Sequence, residues 1–342
     1  MTTDASEPTE SPSPTKVWAW RIVKWLLCGL VVAFVGRRAV RMFQESGTQD
    51  LEFSWSWAIA AGAVYGLGWI PSVWFWRRML MSCGETVPVW DAMRAYFCGH
   101  LGKYVPGKAT VLVIRSGLLR PCGVPIRLSA LTATFETLIM MGVGAALATA
   151  LAPLLFSPEW LVKSPTWLQW FVARPWLMAG LVTIGCIGLL PVLAKLLTTV
   201  VYKLTPLEMR GEGRSMHLSA WLLAEAFGVL IIGWVLLAIS LGLTIRAVGG
   251  SVSPLDLPVL TGSVSAATVL GFVAIFAPGG LGVREGILIV TLQTLRPDVA
   301  ESQAIAASVL LRLVWFIVEV TIAGALYFLG STSSNGQLKT DD

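Results

Sequence analysis

Ala277-Pro278-Gly279-Gly280-Leu281-Gly282-Val283-Arg284-Glu285-Gly286 interrupts an apolar run and sets a charge pair directly after a proline–glycine break. A backbone that leaves the helix within lipid needs other partners for its N–H and C=O groups. Such breaks therefore occur where the chain is buried in protein or lines a watery cavity. Charge at that depth is costly, and a functional site is the first explanation for it. A looser copy stands at Tyr104-Val105-Pro106-Gly107-Lys108, with Arg115 seven residues beyond Lys108. Broken apolar segments in corresponding halves of a chain point to a transporter's binding site.

The surrounding composition is that of a membrane protein. Hydrophobic residues make up 55% of the chain and charged residues 13%, about half the soluble average of roughly 25%. Apolar runs lie at about 17–36, 54–76, 128–152, 176–195, 217–243 and 303–329, several reaching the ~20 residues that cross a hydrocarbon core. Two more, about 91–120 and 258–295, carry the proline–glycine steps. Residues 1–16 are polar and proline-containing and read as a disordered cytoplasmic tail. Residues 331–342 form a short polar tail. Tryptophans 55, 57, 74, 76, 160, 167, 170 and 176 fall at the ends of apolar runs, where an amphipathic ring anchors at the interface.

Lys and Arg concentrate in 77–127 and 196–216, which places these regions and the N-terminus in the cytoplasm. Arg37, Arg38 and Arg41 fall on the opposite side of this scheme. The net charge of +5 needs no nucleic acid to explain it. Five scattered cysteines and two histidines give no zinc spacing, and no metal or cofactor is expected. Gly102-x-x-x-x-Gly107-Lys108 imitates a phosphate loop, but Ala109 replaces the magnesium-holding hydroxyl and no buried strand precedes it. No nucleophile–base set appears, so the chain does not read as an enzyme.

The expected fold is an all-α polytopic membrane protein with six full transmembrane helices and two re-entrant Pro-Gly hairpins. These form an inverted repeat with halves of about 17–155 and 176–329; the alternative is eight transmembrane helices. Pro106 and Pro278 are 172 residues apart, and that shift carries 128–152 close to the last run. Three crossings per half invert the second half against the first.

The two interrupted stretches, and above all Pro278-Gly279-Gly280-Leu281-Gly282-Val283-Arg284-Glu285-Gly286, resemble the signatures of the lysylphosphatidylglycerol synthase transmembrane-region family, the flippase-like integral membrane proteins. The likeness spans about residues 20–330. Ala109 and Thr110 stand where a glycine and an acidic residue are common, and Glu136-Thr137 where a Glu-Arg pair is. The resemblance implies a membrane module of the bacterial cytoplasmic membrane that moves or handles a lipid or lipid-linked headgroup. The aminoacyltransferase domain that accompanies the module in the best-known relatives is not expected in residues 331–342.

Candidate substrate-binding residues are Lys108, Arg115, Glu136, Arg284, Glu285, Arg312 and Glu319, with Pro106, Gly107, Pro278, Gly279, Gly280 and Gly282 forming the hairpin breaks. Lys108 and Arg115 share a helix face about 10 Å apart along the axis. They either clamp a lipid phosphate or snorkel to anionic headgroups. Glu136 lies within an apolar helix and needs a cationic partner, and Glu225 sits at a comparable depth. Ser308, Arg312, Trp315 and Glu319 recur at helical spacing as one polar stripe. Arg312 and Glu319 are too far apart to bond each other, so each must find a partner elsewhere. Arg284 lies beside freed backbone amides able to hold a phosphate oxygen, and Glu285 either joins that site or caps its helix.

The function this supports is translocation of a phospholipid or lipid-linked headgroup without an ATPase of its own, facilitated, proton-coupled or driven by a partner. The alternatives are a membrane scaffold for a lipid-synthesis enzyme and, further off, a lipid-modifying or glycosyl-transferring enzyme.

Overall fold

The structure, a computed structural model, describes residues 53–104, 109–155, 163–204, 218–274, 282–295 and 301–334. The N-terminal tail, the apolar run 17–36, Pro106, Gly107, Lys108, Pro278, Gly279 and Gly280 lie outside the described residues. Every regular element among those described is helical: α1 Trp55–Gly68, α2 Ile70–Ser82, α3 Val89–His100, α4 Ala109–Leu119, α5 Ile126–Leu151, α6 Thr166–Val172, α7 Pro175–Leu204, α8 Ala220–Ala247, α9 Leu257–Val273, α10 Val283–Leu295 and α11 Glu301–Ser334. The last helix runs into what the composition reads as a polar tail.

Local chemistry sets these boundaries. Pro71 cannot donate to the preceding turn, and the helix divides at Trp69 into α1 and α2. Pro125 precedes α5. The Ser219 hydroxyl accepts from the Leu222 amide at 3.1 Å to cap α8. A capping box of Ser253 and Asp256 leads into α9. Gly123 adopts a left-handed conformation (φ 79°) after the short turn Arg120–Cys122 that ends α4.

Six stretches are long and apolar enough to cross a membrane: Trp55–Ser82, Ile126–Leu154, Pro175–Lys203, Ala220–Ala247, Pro254–Val273 and Ser302–Leu329. Five coincide with expected crossings. The sixth, Pro254–Val273, spans 20 residues, although the sequence reads it as the first arm of a hairpin. The segments α3, α4 and α10, with 12, 11 and 13 residues, fall short of a crossing. Arm packs on arm in both broken regions, α3 against α4 and α9 against α10. In the first the partners run antiparallel: Gly102 meets Thr110 and Val111, while Gly99 meets Arg115. A methyl group on Gly102 would lie 2.7 Å from the Val111 amide nitrogen. Close backbone approach, not phosphate binding, therefore accounts for that glycine.

The centre of the bundle is α8 and α11. The former packs on α1, α2, α9 and α11, the latter on α1, α3, α8 and α10. Small residues make these approaches possible. Gly62 and Gly66 receive Val318 and Ile322 of α11, and the Trp234 ring lies over Gly144 while its Nε1 donates to the Met140 carbonyl at 3.2 Å. The tryptophans divide into two groups. Trp55, Trp167, Trp170 and Trp176 are exposed as an interface belt requires, whereas Trp76 is fully buried and donates to the Thr132 hydroxyl at 3.2 Å. At the edge, α7 packs on α5 and α8 and is exposed along most of its length.

Gly144→Ala is expected to destabilise the bundle by about 1–3 kcal/mol, because a methyl there would sit 2.3 Å from the Trp234 ring. Gly142, on the same helix, has open space around it. The apparent melting temperature in detergent should fall for Gly144→Ala and not for Gly142→Ala.

Candidate functional site

Apart from Glu85, the buried charges form two centres. In a closed one only the Arg115 Nε lacks a hydrogen-bond partner among the described residues, and in the other both the Arg284 Nε and the Glu319 Oε2 do. In the closed centre, Arg115 of α4 reaches Glu136 of α5, with Nη1 2.9 Å from Oε2 and both side chains at most 2% exposed. The Tyr96 hydroxyl donates to Glu136 Oε1 at 2.9 Å, so both carboxylate oxygens are engaged. The guanidinium lies over the rings of Tyr96 (3.9 Å) and Trp76 (4.9 Å), a favourable seat for a planar cation. Glu136 thus has the cationic partner its depth demands. Glu225 does not repeat this arrangement: it is 27% exposed and pairs at 3.1 Å with Arg78, itself 43% exposed.

The second centre is built on α11. Ser308, Arg312, Trp315 and Glu319 are all buried, so the helical stripe faces the protein. Glu319 lies next to Lys103, which the turn Leu101–Tyr104 carries after α3. Lys103 Nζ donates to Glu319 Oε1 at 2.5 Å and to His100 Nε2 at 2.8 Å. The imidazole accepts that proton on Nε2 and is therefore neutral, so its 3.5 Å approach to the carboxylate is not an ion pair. The Tyr65 hydroxyl donates to the same Glu319 oxygen. The other, Oε2, is buried and has no hydrogen-bond partner among the described residues. The Tyr65 ring stacks on Trp315 at 4.5 Å, and the Trp315 indole donates to the Ser240 hydroxyl at 3.1 Å.

Beside this group, α10 contributes Arg284 and Glu285. Gly282 is left-handed at φ 86°, the conformation that starts α10 sharply after the break. Glu285 Oε2 accepts from the Gly282 amide at 2.7 Å, the capping contact its first-turn position suggests. Its other oxygen lies 3.8 Å from Arg312 Nε. Arg284 and Arg312 line one cleft with Glu285, Thr268, Ser308 and Trp315. The Arg284 Nε is buried without a hydrogen-bond partner among the described residues. Lys103, Arg284 and Arg312 are close enough to act on one another electrostatically. Around the cleft, three cations face two carboxylates, an excess of one positive charge among the described residues.

Each sequence candidate can now be placed. Arg312 and Glu319 do find separate partners, Glu285 and Lys103. Arg284, Glu285 and Arg312 come together, Glu319 stands next to them, and Arg115 with Glu136 forms the separate closed pair. Lys108 and the five residues Pro106, Gly107, Pro278, Gly279 and Gly280 lie outside the described residues. Sequence reasoning missed Lys103, His100, Tyr65 and Tyr96. Lys103 had a signal, standing one residue after Gly102 and three after His100 in the broken segment. Tyr65 meets Glu319 across 254 positions and had none. No grouping of His, Cys, Asp or Glu suited to a metal occurs among the described residues.

Long apolar helices with buried charge between them define an integral membrane protein. The family described as Lysylphosphatidylglycerol synthase TM region matches residues 21–324, and the chain belongs to that family. No curated protein matches the chain.

Removing one member of a buried ion pair leaves an uncompensated charge, at a cost of about 3–5 kcal/mol. Arg115→Ala is therefore expected to abolish or sharply reduce monodisperse protein in detergent. Glu225→Ala, which removes a rim pair worth about 0–1 kcal/mol, should leave yield and melting temperature close to native.

Proposed function

We propose that this protein translocates a membrane lipid with an anionic, phosphate-bearing headgroup, which binds in the cleft of Arg284 and Arg312. The observation that carries this reading is the cleft itself. Two guanidiniums line it together with the Glu285 carboxylate at the start of α10, and the buried Arg284 Nε has no hydrogen-bond partner among the described residues. Planar guanidinium groups suit phosphate oxygens, and the α10 N-terminus adds positive potential. Acyl tails stay in the bilayer, so only the headgroup must be desolvated. Lys103 extends the positive surface toward Glu319, while Arg115 and Glu136 hold the neighbouring segment in place.

In this reading α3–α4 and α9–α10 are re-entrant hairpins of an inverted repeat that meet at α11 near the midplane. The short α3, α4 and α10 support it, as does the contact of Lys103 from the first broken region with Glu319, beside Arg312 and Arg284. The membrane is the bacterial cytoplasmic membrane, with both termini on the cytoplasmic side.

Purified protein in phosphatidylcholine vesicles should equilibrate fluorescent phosphatidylglycerol between leaflets. Arg284→Ala and Arg312→Ala are expected to slow this at least tenfold. No lipid movement by native protein across a range of headgroups and pH gradients would overturn the reading. Equal rates for the variants would move the site elsewhere.

Topology is tested separately. Single cysteines at Ser253 and Ser334 in a cysteine-free background should behave oppositely toward an impermeant thiol reagent on intact cells. Ser253 is expected to label and Ser334 to remain protected; labelling at both would replace the inverted repeat with an arrangement in which Pro254–Val273 crosses alone.

A further inference from the structure

Each broken region contains a helix glycine with an arginine stem lying on it. A methyl group placed on Gly99 of α3 would lie 2.5 Å from Cγ of Arg115, and one placed on Gly271 of α9 would lie 2.5 Å from Cγ of Arg284. Both distances are well inside van der Waals contact. The obstructed atom is the base of the side chain, not its mobile end, so relief would require the whole guanidinium to swing. Gly99 and Gly271 are separated by the same 172 residues as Pro106 and Pro278. Their arginines are 169 apart, so the return arm of the second region reaches its glycine three residues sooner. The same clasp is therefore built twice, with the glycine on the first arm and the arginine on the second.

The two copies end differently. Arg115 continues from its glycine to Glu136 and the Tyr96 ring, which consume its charge. Arg284 continues from its glycine into the cleft, where Arg312 and Glu285 already contact each other at 3.8 Å. The Nε of Arg115 and that of Arg284 both lack a hydrogen-bond partner among the described residues, but Arg115 has a carboxylate on its Nη1. We infer that Gly271 is a positioning residue for headgroup recognition: its bare Cα seats the Arg284 stem so that the guanidinium meets the phosphate. Gly99 performs the same seating for a purely structural ion pair. This rests on the lipid-translocation reading for its ligand, while the clasp itself is independent of any ligand.

A double-mutant cycle of Gly271→Ala and Arg284→Ala tests it with two readouts. The first is the apparent melting temperature in detergent. The second is the mole fraction of fluorescent phosphatidylglycerol giving half-maximal transfer in phosphatidylcholine vesicles. Gly271→Ala is expected to lower the melting temperature in the native background and not in the Arg284→Ala background, where the obstructed Cγ is gone. It should raise the half-maximal lipid fraction about tenfold in the native protein and leave the Arg284→Ala protein unchanged. If Gly271→Ala alone fails to fold, recovery of folded protein in the double variant supports the clasp and continued failure overturns it. Equal losses of melting temperature in both backgrounds, or none in either, would overturn it as well. A native protein that moves no lipid would remove the transport reading while the melting-temperature cycle still decides the clasp.

Discussion

The Arg115–Glu136 pair is held at 2.9 Å in surroundings where each separated ion would cost several kcal/mol of lost hydration. It is tolerable because most of its polar atoms are matched, the Arg115 Nε alone having no hydrogen-bond partner among the described residues. Tyr96 engages the second carboxylate oxygen, and two aromatic faces cover the cation. These demands reach outward. Trp76 must point inward, which ties α2 to Thr132 of α5, and Gly99 must lack a side chain so that the arginine stem can pass. A short helix that cannot span the bilayer is thus fixed to one that can. Without that attachment α4 would have only the contacts of its own hairpin to hold it in the bundle.

The second centre inverts these properties. It shares the aromatic surroundings and the proximity to a break, yet its groups are less completely matched. One oxygen of Glu319 carries every observed contact while the other has none among the described residues, and the Arg284 Nε is likewise unmet. Unmatched buried polar groups cost stability, a cost that the proposed headgroup would offset by supplying acceptors and donors from outside the chain. In the proposed function, the first centre supports the scaffold and the second recognises the headgroup.

How much of this was legible beforehand depends on the range over which each signal acts. The four-residue stripe on α11 follows from helical periodicity alone, and the structure buries all of it. The need of Glu136, Arg312 and Glu319 for partners followed from the cost of charge in an apolar segment, but their identities did not. The sequence reads Arg115 either as a phosphate clamp or as a cation snorkelling to headgroups, and the structure pairs it with Glu136, twenty-one positions away. Lys103 and Glu319 are separated by 216 positions, and only the packing of α3 on α11 joins them. Trp76 misled because an indole at the end of an apolar run reads as an interface anchor, whereas a buried hydroxyl within reach draws it inward. Pro254–Val273 is ambiguous: the break after it suggests a hairpin arm, while its own length suffices for a crossing.

The peripheral helix α7 carries a different consequence. Its span Pro175–Lys203 is 29 residues long, with Lys195 and Lys203 toward its C-terminal end, and extends roughly 43 Å at 1.5 Å per residue, against a hydrocarbon thickness of about 30 Å. Hardly any of its hydrophobic window is covered by protein, so its inclination is set by the surrounding bilayer more than by neighbouring helices. A helix longer than its solvent is thick relieves the mismatch by leaning, by bending, here near Pro191, or by thickening the lipid around it. Acyl-chain length thereby becomes a mechanical input to the bundle, acting through α5 and α8, the two helices on which α7 rests.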